Sequence, residues 1–266
     1  MADLERLVEL RGTGDRNPLF CVHAVSGSAY AYAGLVQALP PDQPVYGFEA
    51  PGFDNERPVV SSLPELSAEY VEILREFQPS GGYQLLGWSL GGVLAFDMAV
   101  RLLAPGQSVE RLILVDAGLP WIAPLPTEKG ILRRFLGDLV GVADLSAGGL
   151  DPVFADAAED VEPATLFAAV ERARIFPEEI DADLLEERYT PFRAHLQALW
   201  SYEVTSPYAG TVVHLRAADS EPESTRWDTV SKEVVEHVLP GNHYSIWNGD
   251  SLAQLSTYVR QHLVDQ

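Results

Sequence analysis

Short apolar runs alternate with helical patterns through the first third of the chain. Val8–Arg11, Leu19–His23 and Val45–Phe48 read as strands. Ser62 then opens a helix. Glu65 follows at capping-box spacing, Pro64 sits in the first turn, and Leu63, Leu66, Tyr70, Ile73, Leu74 and Phe77 recur as one apolar stripe. Pro79, Gly81 and Gly82 end it. A strand over Tyr83–Gly87, a sharp turn, a helix from about Gly92 to Leu103 and a strand over Arg111–Val115 come next. That second helix is apolar around most of its circumference, so it belongs against a sheet. Strands with continuous apolar character are covered on both faces, as in parallel sheets, and their alternation with helices predicts a doubly wound α/β architecture.

After Asp116 the pattern changes. Pro120, Pro124 and Pro126 interrupt it, and amphipathic helices follow near Gly130–Val140, Pro163–Ile175 and Asp183–Trp200, the last interrupted by Pro191. Thr211–Arg216 and Glu233–Leu239 then restore strands, and Ser251–Leu263 reads as a closing helix with Asp250 as its N-cap. Residues 1–118 and 205–266 therefore form an α/β core, and residues 119–204 a helical insertion of the kind that lids a site.

Composition narrows the function classes. The net charge of −21 opposes phosphate backbones and anionic lipid surfaces, which argues against nucleic-acid and membrane partners. The single cysteine, Cys21, excludes an intrachain disulfide and reads as a small buried strand residue. The acidic N-terminus lacks the apolar region of a signal peptide, and the longest apolar stretch, Leu85–Phe96, is too short to span a bilayer. A soluble, cytoplasmic protein is expected.

Gly87-Trp88-Ser89-Leu90-Gly91-Gly92 places a G-x-S-x-G motif between a strand and a helix. That context makes it a nucleophile elbow, with the Ser89 hydroxyl raised at the carboxyl edge of the sheet and the helix N-terminus behind it. A serine nucleophile needs a base, and the base an orienting acid, in the chain order Ser, acid, His. Of six histidines, His23 precedes the serine and reads as a hydrogen-bonded loop residue. His195 falls on an insertion helix, His214 and His237 lie within strands, and His262 lies near the terminus. His243, on the loop between the last strand and the last helix, is the candidate base. Asp116 and Asp219 both end strands and are both candidate acids; Asp116 is preferred because it terminates a clean apolar run, whereas Asp219 sits in a polar stretch. The backbone amides of Leu90 and Val25 are the expected oxyanion hole.

The runs Leu19–Tyr30, Ala50–Phe53, Tyr83–Ala99, Arg111–Asp116 and Gly241–His243 resemble the thioesterase domains that end nonribosomal peptide and polyketide synthetases. The resemblance covers nearly the whole α/β core and is weak in the insertion. It implies the α/β-hydrolase fold, the acid at Asp116, and oxyanion amides at Val25 and Leu90. It further implies release of an acyl or peptidyl chain from a carrier protein's phosphopantetheine thioester, by hydrolysis or macrocyclisation, with no cofactor held by this chain. The carrier would act in cis or in trans. The Trp-Ser-Leu-Gly-Gly form is closer to synthetase terminal domains than to free-standing editing thioesterases, which more often carry His before the serine and their acid one strand later. Ala24 departs from the pattern, where a proline often stands; the backbone amide is unaffected. An editing thioesterase, a small-molecule carboxylesterase and a non-catalytic binding module on the same scaffold remain as alternatives.

Two charged stretches lie outside this constellation. Lys129, Arg133 and Arg134 form a tight basic cluster, read either as a docking patch for an acidic carrier or as a solvated helix face. Asp156–Glu162 lacks the spacing of a calcium loop. No metal or nucleotide motif is present in the sequence.

Overall fold

The computed structural model describes residues 3–53, 57–103, 107–119, 124–145, 147–221 and 226–263. Pro120 lies outside them. Seven strands form one sheet in the order β1-β3-β2-β4-β5-β6-β7. They are β1 (Leu7–Arg11), β2 (Leu19–Val22), β3 (Val45–Phe48), β4 (Gly82–Trp88), β5 (Ser108–Val115), β6 (Tyr208–Ala217) and β7 (Ser231–Leu239). Only β1 runs antiparallel, against β3; the remaining neighbours are parallel.

The central strands alternate between two cores. In β2, Leu19 and Cys21 face one apolar cluster while Phe20 and Val22 face the other, and all four side chains are buried. This is the two-sided burial that continuous apolar strands imply. Helices α1 (Ala33–Ala38) and α8 (Gly249–His262) contribute to the first cluster; α2 (Leu63–Phe77) and α3 (Leu90–Leu103) contribute to the second. Ser62 caps α2 by accepting the Glu65 N–H at 3.4 Å. Between β5 and β6 come α4 (Glu128–Val142), α5 (Leu150–Ala155), α6 (Pro163–Arg172) and α7 (Ala182–Trp200). Their apolar faces, including Phe135, Phe167, Tyr189 and Phe192, join the α2–α3 core.

Two local expectations need correction. Pro191 does not split its helix: α7 runs unbroken through it, with the ring buried among the apolar residues of that face. The residue capping α8 is Asn248 rather than Asp250, which lies inside the first turn, and no side-chain cap bond forms. Helices α1 and α5 are not among the expected elements; each is only six residues long, too short to show an apolar period.

The basic cluster on α4 is engaged within the insertion. Arg133 pairs with Asp151 at 3.0 Å and lies over the Phe154 ring, Arg134 lies over Trp200, and Lys129 donates to the Ala157 carbonyl at 2.7 Å. These contacts tie α4 to its neighbouring helices. Among the described residues no helix is long and apolar enough to cross a membrane.

Candidate active site

Six loops leave the carboxyl ends of the parallel strands β2 to β7 at one edge of the sheet, where ligands of open α/β sheets bind. Ser89, between β4 and α3, has φ of +57°, a left-handed conformation that costs a non-glycine residue energy and is kept where the surroundings over-determine it. Its N–H donates to the Val115 carbonyl at 3.0 Å. The glycines on either side permit the turn. A Cβ on Gly87 would lie 2.0 Å from the Gly91 carbonyl oxygen, and one on Gly91 would lie 2.2 Å from the Val22 carbonyl oxygen. Every residue from Gly82 to Val93 is buried except Ser89, which is partly exposed. Leu90 is the first residue of α3, so its N–H belongs to the set with no intrahelical acceptor.

Asp116 follows β5 with φ of +42°, and its N–H donates to the Leu215 carbonyl at 2.8 Å. This bend turns the carboxylate under the β6 end. Oδ1 accepts the Ala217 N–H at 2.8 Å, while Oδ2 accepts the Ser220 hydroxyl at 2.9 Å and His243 Nδ1–H at 2.6 Å. Burial alone would push the Asp116 carboxyl up, but the hydrogen bond and charge of His243, with the Ala217 N–H and Ser220 hydroxyl, outweigh it and hold the group below the usual carboxylate range. Asp219 is exposed, and its N–H donates to the Gly241 carbonyl. The structure therefore joins His243 to Asp116 and leaves the Asp219 side chain at the surface.

The sequence Gly-Asn-His-Tyr-Ser explains the shape of the histidine loop. Gly241 takes a left-handed φ of +99°, and Asn242 Oδ1 accepts the N–H groups of Tyr244 and Ser245, each at 3.0 Å. This Asx turn aims His243 back at the sheet. The indole of Trp88, next in sequence to Ser89, lies 5.1 Å from the His243 ring, and Tyr244 meets that ring edge-on at the same distance. The elbow and the histidine loop are thus in direct contact.

Val25 sits in the turn after β2. The Ala24 carbonyl accepts the Gly27 N–H at 3.0 Å and His23 Nδ1–H at 2.7 Å. Residues that sequence reasoning missed surround this framework. Ser220 braces Asp116 from the β6 loop; His195, on α7, donates to the Val25 carbonyl at 2.9 Å. Neither carries a local sequence signal, because each meets its partner across more than a hundred positions. Among the described residues no group of three or more His, Cys, Asp or Glu is placed to hold a metal.

The match to known proteins decides the family. The family model described as "Thioesterase domain" matches residues 17–261. This chain belongs to that family. The thioesterase domain is 37% identical over 152 residues to a dimodular nonribosomal peptide synthase from Bacillus subtilis, a stretch covering 56% of this chain and 6% of the synthase. It is 44% identical over 141 residues to the malpibaldin synthetase of Mortierella alpina, covering 50% of this chain and 2% of that protein. The chain thus spans a small fraction of the multidomain relatives it matches. Among solved structures, the thioesterase domain of NocB in covalent complex with a fluorophosphonate nocardicin G analogue aligns over 94% of this chain and 95% of its own, with TM-score 0.65 and 25% identity. A four-domain nonribosomal peptide synthetase aligns over 96% of this chain and 20% of its own, with TM-score 0.81 and 23% identity, a likeness of fold. The thioesterase domain is a hydrolase of the nonribosomal peptide and polyketide synthetase type on the α/β-hydrolase fold.

One carboxyl group of the thioesterase domain reaches the site from α4. Asp138 accepts a hydrogen bond from the Tyr244 hydroxyl at 3.2 Å. Burial pushes its carboxyl up to about 6, against the opposing influence of the His243 charge and the Tyr244 hydroxyl. A carboxyl raised in the folded state binds a proton there that the unfolded chain has already released, so this group's cost is absent below the ordinary carboxylate range and complete above about 6. Asp138→Asn keeps an acceptor for Tyr244 and removes that cost. It is expected to stabilise the fold at pH 8 by on the order of 2 kcal/mol, and much less at pH 4.5. Thermal melts of both proteins at the two pH values check this.

Proposed function

We propose that this domain releases an acyl or peptidyl chain from the phosphopantetheine thioester of a carrier protein through an acyl-Ser89 intermediate. The observation that carries the reading is the 2.6 Å hydrogen bond from His243 Nδ1–H to a buried Asp116, on a histidine whose ring lies against the residue preceding Ser89. A proton held on Nδ1 leaves the Nε2 lone pair to act as base.

In this mechanism His243 Nε2 takes the Ser89 hydroxyl proton as Oγ attacks the thioester carbonyl carbon. The carbonyl oxygen becomes an oxyanion held by the N–H groups of Leu90 and Val25. The tetrahedral centre collapses, the carbon–sulfur bond breaks, and the proton on His243 passes to the departing thiolate sulfur. The acyl ester on Ser89 is then resolved by the same steps run with a new nucleophile. Water gives the free acid; a hydroxyl or amine within the chain gives a ring. Asp116 stays ionised throughout and supports the imidazolium, consistent with a carboxyl held below its ordinary range. The segment 119–204 acts as a lid over this chemistry, with the aromatic face of α4, α6 and α7 turned toward the core.

A fluorophosphonate probe tests the nucleophile. It is expected to add covalently to the peptide containing Ser89, and Ser89→Ala is expected to remove all labelling while keeping the native circular dichroism. Failure of the folded wild-type protein to label would instead support a non-catalytic scaffold. Rates on matched acyl thioesters and oxygen esters test the substrate class: much faster turnover of the oxygen esters would favour a carboxylesterase.

A further inference from the structure

His195 is a fully buried side chain on α7 with one of its ring nitrogens committed and the other without a partner among the described residues. Nδ1 lies 2.9 Å from the Val25 carbonyl oxygen, across 170 positions of chain, while Nε2 is buried and has no hydrogen-bond partner among the described residues. A buried polar atom left unpaired is costly, and a leucine of similar size would avoid that cost, so the bond at Nδ1 calls for an explanation. The ring also packs against that of His23, with centroids 5.3 Å apart and the planes tilted by 30°.

The two histidines hold consecutive carbonyls of one turn. His23 Nδ1 lies 2.7 Å from the Ala24 oxygen, and its Nε2 lies 2.7 Å from the Tyr70 hydroxyl. Carbonyl oxygens accept only, so each imidazole carries its proton on Nδ1. Burial, and for His23 the neighbouring His195, hold both rings in the neutral form that suits this arrangement. In a trans peptide the N–H points opposite the C=O. Holding the Ala24 carbonyl against His23 and Gly27 therefore aims the Val25 N–H the other way, and holding the Val25 carbonyl fixes the next peptide plane. The first clamp comes from the end of β2, within the core; the second comes from the lid.

We propose that His195 is a positioning residue that latches the lid helix α7 to the oxyanion loop: the core clamp on the Ala24 carbonyl aims the Val25 N–H, and the His195 bond fixes the peptide plane that follows it, so the loop holds that N–H rigidly for the transition state only while α7 is seated. The proposal rests on the acyl-Ser89 reading above. His195 touches no reacting atom; it acts through the Val25 carbonyl, on the peptide plane that follows the one bearing the Val25 N–H. Seating of the lid over a bound chain and stiffening of the oxyanion loop are then one event.

The test is steady-state kinetics on an acyl N-acetylcysteamine thioester with wild type, His195→Leu, His195→Asn and Ser89→Ala. Asn places an N–H donor near the position of Nδ1; Leu places none. The leucine variant is expected to lose kcat by about 10- to 100-fold with KM changed less than about twofold, because an oxyanion donor acts on the transition state. The asparagine variant is expected to recover most of that loss. Leucine and asparagine variants with equal kcat, whether both at the wild-type value or both equally slow, overturn the latch. If Ser89→Ala retains turnover, the acyl-serine reading fails and the latch with it; if Ser89→Ala is inactive while His195→Leu turns over at the wild-type rate, only the latch fails. A measurement on the unaltered protein guards against misfolding of the variants: 15N spectra are expected to show a single Nδ1–H tautomer for His195, with a proton protected from exchange. A freely exchanging or Nε2–H imidazole contradicts the proposal.

Discussion

Asp116→Asn is expected to lower kcat for thioester turnover by about 10⁴-fold, the size of loss seen when the orienting acid of a serine triad becomes an amide. The reason lies in the hydrogen-bond directions. Oδ1 can keep the Ala217 N–H at 2.8 Å, so an asparagine enters with its oxygen there and its NH₂ in place of Oδ2. That NH₂ then faces the Ser220 hydroxyl and His243 Nδ1, both donors to the native carboxylate. The hydroxyl rotates to accept. The imidazole instead shifts its proton to Nε2, which removes the lone pair that Ser89 needs. Asp219→Asn changes an exposed side chain away from this bond and is expected to alter kcat less than about twofold. Stopped-flow rates on one soluble thioester, with melting curves to show that both variants fold, separate the two. The opposite ranking would make Asp219 the acid.

The second large effect is on the scaffold. Gly91→Ala would put a methyl group 2.2 Å from the Val22 carbonyl oxygen and 2.5 Å from that of His23. Neither backbone atom can rotate away as a side-chain end would, so α3 and the end of β2 must part. Overpacking of this kind is expected to cost about 3 kcal/mol or more, and to lower Tm by roughly 6–12 °C for a chain of this length. It also displaces the β2 turn that carries Val25, so activity is expected to fall further than stability. Gly137→Ala is the control: within α4, its added methyl meets nothing within 4 Å. Ordinary helix propensity then predicts a gain of about 0.5–1 kcal/mol. Differential scanning calorimetry of the two variants measures both shifts.

What could be read from the sequence follows the range of the interactions involved. The elbow at Ser89 was legible because its causes are local: a strand, two glycines and a buried helix within about twenty positions. The histidine loop was legible for the same reason, since Gly241 and Asn242 shape it from adjacent positions. Choosing between Asp116 and Asp219 was harder, because both end strands at the same edge of the sheet. The difference lies in the left-handed bend at Asp116 and in a hydroxyl supplied 104 positions later by Ser220. Helix α7 illustrates the same limit. Its period was visible, but Pro191 suggested a break that tertiary packing of Tyr189, Phe192 and Leu196 overrides. Its most informative side chain, His195, looks in the sequence like any histidine on a helix. Only the fold brings it to Val25.

The most direct test of the account is intact-protein mass spectrometry during a single turnover with a carrier protein bearing an acyl-phosphopantetheine thioester. The account predicts a transient gain of one acyl mass on the domain, mapped to the peptide containing Ser89, with equal loss from the carrier. It also predicts no adduct and no release with Ser89→Ala. Release of the acyl chain by wild type with no such adduct at any time, together with undiminished release by Ser89→Ala, would contradict it.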